Sequence, residues 1–223
     1  MIVVHHLNNS RSQRVLWLLE ELGLAYEIKR YERDPSTLRA PSSLRDVHPL
    51  GKSPVITDGA LTLAESGAII EYLADDHPDA RLAPPPGTPE RVRYLYWLHY
   101  AEGSAMPLLL LKLVFDRIEG ARMPFFARPV AKSIARRVKS SLVEPQIAQH
   151  LDYIEAHLAK CPWFAGDAFS AADIQMSYPL EAAAARAGSS ASRPNLAAFV
   201  DRIRARPAYQ RALERSGGHT IVS

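Results

Sequence analysis

Residues 52–70 read KSPVITDGALTLAESGAII. Asp58-Gly59 separates two short apolar runs, Val55-Ile56-Thr57 and Leu61-Thr62-Leu63. An Asp-Gly pair suits the positive φ angles of a two-residue hairpin turn, so the runs predict paired antiparallel strands. Glu65-Ser66 then opens a segment carrying Ile69, Ile70, Tyr72 and Leu73 at helical spacing. An acidic residue and a hydroxyl at that point suit the positive end of a helix. The stretch therefore reads strand, turn, strand, helix.

Toward the N-terminus, residues 2–7 form an apolar run interrupted by His5 and His6, which predicts a short, mostly buried strand. Successive side chains on a strand point to opposite faces, so the two histidines cannot share one site, and structural or surface roles are expected of them. Val15, Leu18, Leu19 and Leu22 recur on one helical face, and Gly23 closes it. Residues 25–31 alternate and predict a second strand, parallel to the first if the crossover is right-handed. Residues 34–50 carry Pro35, Pro41 and Pro49 and read as an irregular connection with room for one short helix. The order is βαβ, then ββα: a small mixed sheet flanked by helices over residues 1–77.

Toward the C-terminus, the proline-rich residues 78–89 read as a linker. The remainder, 90–223, reads as all-helical. Residues 91–115 have helical periodicity, with a kink or break expected at Pro107. Residues 131–158 predict one or two helices with a boundary near Pro145. Ser170 and Asp173 form a cap resembling a capping box, with Phe169 and Ile174 placed as a hydrophobic staple. A helix over 174–187 closed by Gly188 follows, and 195–204 is the last clear helix.

The bulk composition narrows the function. The chain has 223 residues, 47% hydrophobic and 23% charged, as in an ordinary globular protein. A formal charge of +3 gives no reason to expect a nucleic-acid partner. The single cysteine, Cys161, can form no internal disulfide and no cysteine metal cluster. The N-terminus shows no signal-peptide pattern. The longest apolar run, 107–111, is too short to cross a membrane. The expectation is a cytoplasmic protein with no membrane span, no metal and no permanently bound cofactor.

Four motifs, taken in order, resemble the glutathione transferase superfamily, within it most closely a serine-type, theta-like group of bacteria and fungi. They are Ser10 ahead of Arg14-Val15-Leu16; His48-Pro49-Leu50-Gly51-Lys52-Ser53-Pro54-Val55; Leu63-Ala64-Glu65-Ser66-Gly67-Ala68-Ile69; and Phe164-Ala165-Gly166-Asp167 through Ser170-Ala171-Ala172-Asp173. The resemblance implies an α+β thioredoxin-like domain followed by an all-α helical bundle. It also implies a homodimer that uses glutathione as co-substrate against small electrophiles or hydroperoxides. A glutathione-dependent disulfide reductase and a non-catalytic scaffold of the same fold remain as alternatives.

Site residues follow from the same resemblance. Ser10 would donate a hydrogen bond to the glutathione thiolate, with Ser12 and Asn9 as alternates; read alone, Ser10 is an ordinary helix cap. Lys52 would meet the glycyl carboxylate. Ser53, through a cis bond to Pro54, would pair with the cysteinyl backbone. Ser66 would hold the γ-glutamyl carboxylate at a helix N-terminus, and Glu65 the γ-glutamyl ammonium. Tyr96, Tyr100, Ser104, Met106 and Leu109 are candidates for the second-substrate pocket. Cys161, far from the first turn in sequence, reads as structural. Arg128, Lys132 and Arg136 make a basic helical stripe, either a solvated face or a wall facing an anion.

Overall fold

The computed structural model describes residues 1–37, 39–187 and 192–218. Its first part is a four-stranded mixed sheet in the order β2-β1-β3-β4. The strands are β1 (Ile2–Leu7), β2 (Tyr26–Tyr31), β3 (Val55–Asp58) and β4 (Leu61–Ala64). Helix α1 (Ser12–Leu22) links β1 to β2, which run parallel with Ile2 opposite Tyr26. β3 is antiparallel to β1, with Val4 opposite Ile56, and β4 returns antiparallel to β3, with Ile56 opposite Leu63. α2 (Ser66–Asp76) follows directly.

β1 is an inner strand with both edges paired, and its burial pattern shows that its two faces are largely covered as well. That is why it reads as a run rather than an alternation. His5 and His6 are consequently both buried. Each needs a polar partner there: His5 Nδ1 lies 3.0 Å from Tyr31 Oη, and His6 Nδ1 lies 2.8 Å from Ser12 Oγ.

The second part is helical: α3 (Pro89–Tyr100), α4 (Met106–Gly120), α5 (Arg128–Val138), α6 (Glu144–Leu158), α7 (Ala171–Ala187), α8 (Pro194–Arg204) and α9 (Pro207–Ser216). Gly188, the expected stop of α7, lies outside the described residues. The chain does not break at Pro107. A π-helical turn over Ala101–Ala105 joins α3 to α4, and another over Lys139–Val143 joins α5 to α6 just before Pro145. A proline has no N–H to give and its ring crowds the carbonyl four residues back. A wider turn immediately before it relieves both problems while the helix continues.

α9 was not singled out in the sequence, although Ala208, Tyr209, Ala212 and Leu213 recur on one helical face; its buried residues are Ala208, Tyr209, Ala212 and Ser216. It packs on α1, where Trp17 meets the Tyr209 ring edge-on at 5.1 Å. Glu21 pairs with Arg206 at 2.6 Å, and Glu20 pairs with Arg211 and Arg215 at 2.8 and 3.0 Å. One hydrophobic core runs through both parts, so α1 serves the sheet on one side and the helices on the other.

Asp173 anchors the start of α7. Its Oδ1 accepts from Phe164 N at 2.8 Å, and its Oδ2 accepts from Ser170 N at 2.8 Å and Ser170 Oγ at 3.0 Å. Burial pushes this carboxyl up to about 7, against the pull of those donors. Among the described residues no helix is long and apolar enough to cross a membrane.

Candidate functional site

The site candidates meet where β1 ends. α1 starts at Ser12, and its N-cap is Arg11, whose side chain makes no capping bond. Ser10 stands one residue earlier than a cap. Its Oγ accepts the Ser12 N–H at 3.3 Å and lies 2.8 Å from Ser12 Oγ. Asn9 turns the chain with a φ of 50°, a region that asparagine tolerates.

The β3 loop closes on this turn. The Ser53–Pro54 bond is cis. Ser53 Oγ donates to His5 O at 2.9 Å and accepts from Leu7 N at 3.3 Å and from Ser10 Oγ at 3.4 Å. Lys52 beside it is exposed. Three of the predicted residues, Ser10, Ser12 and Ser53, thus form one hydroxyl cluster.

A second cluster joins this turn to the start of α2. Glu65 holds a φ of 73°, a costly conformation for a non-glycine residue, and leaves its own side chain exposed. Ser66 is buried, and its Oγ accepts from Arg14 Nη2 at 3.0 Å. Arg14 also donates to Gln175 O at 2.7 Å and to Glu102 Oε1 at 2.5 Å. Arg11 Nε donates to both Glu102 oxygens at 3.0 Å. Tyr178 of α7 lays its ring 5.5 Å from the Arg11 guanidinium and 5.3 Å from that of Arg14.

The electrostatics follow from burial. Burial drives the Arg14 pKa down, and Glu102 opposes that shift. Burial also disfavours the Glu102 carboxylate, but the attraction and hydrogen bonds of Arg14 and Arg11 outweigh it and hold Glu102 below the usual range. Arg33 enters from the chain after β2, donating to Asn8 O at 3.1 Å and Asn9 O at 3.4 Å. The charges gathered at this turn are therefore the guanidiniums of Arg11, Arg14 and Arg33 and the carboxylates of Glu102 and Glu32, the last accepting from Asn8 Nδ2 at 2.5 Å.

Arg14, Glu102 and Arg33 were missed in the sequence reading. A signal existed for two of them. Arg14 stands four residues before Leu18 on the apolar face of α1, and Glu102 falls four after Leu98 on the inner face of the α3–α4 helix. A charge on a buried face calls for a partner.

The other candidates are scattered. Tyr100, Met106 and Leu109 are buried in the helical core rather than lining an open cleft, and Tyr100 Oη bonds to His150 Nδ1. Tyr96 is exposed, with its ring 5.6 Å from that of Tyr100, and Ser104 is half-buried. In the basic stripe, Arg136 is paired to Glu119 at 2.6 Å, and neighbouring Lys139 to Asp116 and Glu119 at 2.6 and 2.7 Å, so α4 neutralises part of it. Cys161 is half-buried just past α6 and has no disulfide partner. A groove of about 900 Å³ runs beside the linker, lined by Pro84, Pro85, Arg91 and Phe169, and contains none of the predicted ligand-binding residues. Among the described residues no group of three or more His, Cys, Asp or Glu could hold a metal ion.

Comparison with known proteins covers the whole chain. The family models "Glutathione S-transferase, N-terminal domain" and "Glutathione S-transferase, C-terminal domain" match residues 1–75 and 123–207. Glutathione S-transferase 3 of Schizosaccharomyces pombe is 37% identical over 222 residues, spanning 100% of this chain and 90% of its own. A crystal structure of a glutathione S-transferase from Actinobacillus pleuropneumoniae superimposes with a TM-score of 0.78 at 32% identity, covering 98% of this chain and 94% of that one. A sphingomonad glutathione S-transferase, solved in complex with glutathione, gives 0.73 at 27% identity, with 96% and 98% covered.

Proposed function

The chain belongs to the glutathione S-transferase family, and on that premise we propose that it activates glutathione at the Ser10 turn for attack on an electrophilic carbon. It is a glutathione transferase with glutathione as co-substrate. The thiolate is the nucleophile, so the enzyme's task is to lower the thiol pKa and hold the sulfur in place. The Ser10 hydroxyl is not ionised at neutral pH and is far too weak a base to take the thiol proton. It stabilises the sulfur anion with a charge-assisted hydrogen bond, helped by the N-terminus of α1 and by Arg11, Arg14 and Arg33. A depression of one to two pKa units corresponds to about 1.4–2.7 kcal/mol.

The observation that carries this reading is the 3.4 Å approach of Ser10 Oγ to Ser53 Oγ, one residue from Pro54. It puts the proposed thiolate donor beside the backbone that would pair with the cysteinyl unit. Lys52 meets the glycyl carboxylate, the N-terminus of α2 with Ser66 takes the γ-glutamyl carboxylate, and Glu65 takes the γ-glutamyl ammonium. Arg14, hydrogen-bonded to Ser66, adds a positive charge beneath that carboxylate. Of the expected second-substrate residues, Tyr96 and Ser104 keep accessible side chains. The same thiolate would also reduce hydroperoxides, giving an alcohol and a glutathione sulfenic acid that a second glutathione converts to disulfide and water.

The functional unit is a homodimer of the serine-type group, acting in the cytoplasm. Its domains are 1–77 and 90–223, joined by the linker 78–89. Exposed Leu61 and Val92 supply apolar surface for a second copy. The test of the site is calorimetric titration with glutathione beside Ser10→Ala. Binding in both proteins, with a raised bound-thiol pKa in the variant, supports the reading. Absence of binding in the wild type overturns it.

A further inference from the structure

Ser10 is the end of a buried chain of polar groups. His6 Nδ1 lies 2.8 Å from Ser12 Oγ, and Ser12 Oγ lies 2.8 Å from Ser10 Oγ. His6, Ser12 and Ser10 are 3%, 0% and 2% exposed, so their hydrogen bonds are made to one another and to the protein around them.

A hydroxyl has one proton and two lone pairs. Ser10 can serve a thiolate only if its proton points away from Ser12. Ser53 shows which way that is. Its own proton goes to His5 O at 2.9 Å, so at 3.4 Å Ser53 Oγ is the acceptor and Ser10 the donor. The lone pairs of Ser10 then face Ser12, taking its N–H at 3.3 Å and its O–H at 2.8 Å. Having used its proton on Ser10, Ser12 must accept from His6, which requires a hydrogen on Nδ1. The reverse polarity, with Ser12 donating to His6 or to Leu7 O at 3.4 Å, would leave Ser10 donating inward and no proton for the sulfur.

We propose that His6 and Ser12 are positioning residues for the transfer reaction: His6 Nδ1–H donates to Ser12, Ser12 donates to Ser10, and the chain turns the Ser10 proton outward to the glutathione thiolate. No proton is transferred along it. Each hydroxyl is polarised by the donor behind it, which strengthens the final bond to the anion. The inference rests on Ser10 as the thiolate donor. It adds two residues that never touch glutathione, one of them a histidine that looked merely structural.

The test is the pKa of enzyme-bound glutathione, read from thiolate ultraviolet absorbance on the full chain, together with the glutathione Kd. Ser12→Ala and His6→Leu are expected to raise the bound-thiol pKa by about half a unit, roughly a threefold loss of thiolate, with Kd changed less than about twofold. His6→Asn, whose amide N–H overlays the Nδ1–H, is expected to restore the wild-type value. A role in packing alone would not distinguish Asn from Leu in this way. If Ser10→Ala raises the pKa while Ser12→Ala and His6→Asn both match the wild type and His6→Leu also does, the chain is idle and the proposal is overturned. If Ser10→Ala itself leaves the pKa unchanged, the assignment of Ser10 fails and the positioning role falls with it.

Discussion

Arg14 on α1 and Glu102 on the π turn before α4 meet across the two parts of the molecule, with Arg14 Nη2 donating to Glu102 Oε1 at 2.5 Å. Arg14 is 2% exposed, so its charge is compensated inside the protein rather than by water. The same nitrogen reaches Ser66 Oγ, and one guanidinium therefore ties α1, the start of α2 and the helical part together.

Removing either charge should be costly. Glu102→Gln leaves Arg14 buried beside a neutral amide, and a loss of about 1–3 kcal/mol is expected, discounted from a fully buried pair because Glu102 is partly solvated. Urea unfolding would show it as a lower midpoint with an unchanged slope. Arg14→Met should in addition raise the KM for glutathione several-fold at similar kcat, because the γ-glutamyl site loses its supporting cation.

The same pair predicts an acid sensitivity with a definite sign. Arg14 and Arg11 overcome the effect of burial and hold the Glu102 pKa below its ordinary value, which is about 4.3 in the unfolded chain. The contribution is fully present above that value and is lost as pH falls through the lower folded pKa. The stability gap between wild type and Glu102→Gln should therefore narrow over the acid range, as pH falls below the ordinary glutamate pKa of about 4.3. A constant gap over that range would show that Glu102 does not carry the effect.

Asp173 predicts a purely structural phenotype. Asp173→Ala strands the N–H groups of Phe164 and Ser170, at a cost of about 1–3 kcal/mol. A thermal midpoint lower by roughly 2–10 °C is expected for a chain of this size. The kcat/KM of the protein that remains folded should be unchanged. A specific loss of glutathione affinity would contradict this assignment.

The proposed dimer is testable through its apolar surface. Leu61 on β4 is 39% exposed and Val92 on α3 is 69% exposed. Leu61→Asp with Val92→Asp should halve the mass seen by light scattering while leaving far-ultraviolet dichroism intact. A wild type that is already monomeric at micromolar concentration would rule the dimer out.

Several elements were legible from local pattern because local chemistry dictates them. Gly59 makes the hairpin: with a φ of 56° it opens a Gly59-Ala60 turn, one residue later than the expected Asp58-Gly59 turn, and Asp58 ends β3 opposite Leu61. The periodic leucines of α1 and Gly23 define that helix without reference to anything distant. At Pro107 the local pattern allows a kink or a break, because a proline's effect on a helix depends on whether the preceding turn can widen, and packing on both sides of the π turn decides that. α9 carries a legible face in Ala208, Tyr209, Ala212 and Leu213, but only its packing on α1 shows what that face covers.

The sequence by itself determined the order βαβ-ββα followed by helices, the hydroxyls at the first turn and the Ser53-Pro54 loop, because each rests on residues adjacent in the chain. Only the tertiary structure decided which charges and histidines matter. Arg14 gains its meaning from Glu102, 88 positions away, and from Ser66. His6 gains its meaning because its ring is buried where it projects from β1, which removes water and brings in Ser12 as a partner. A buried polar group must find its partner in space, and the distance along the chain says nothing about where that partner is.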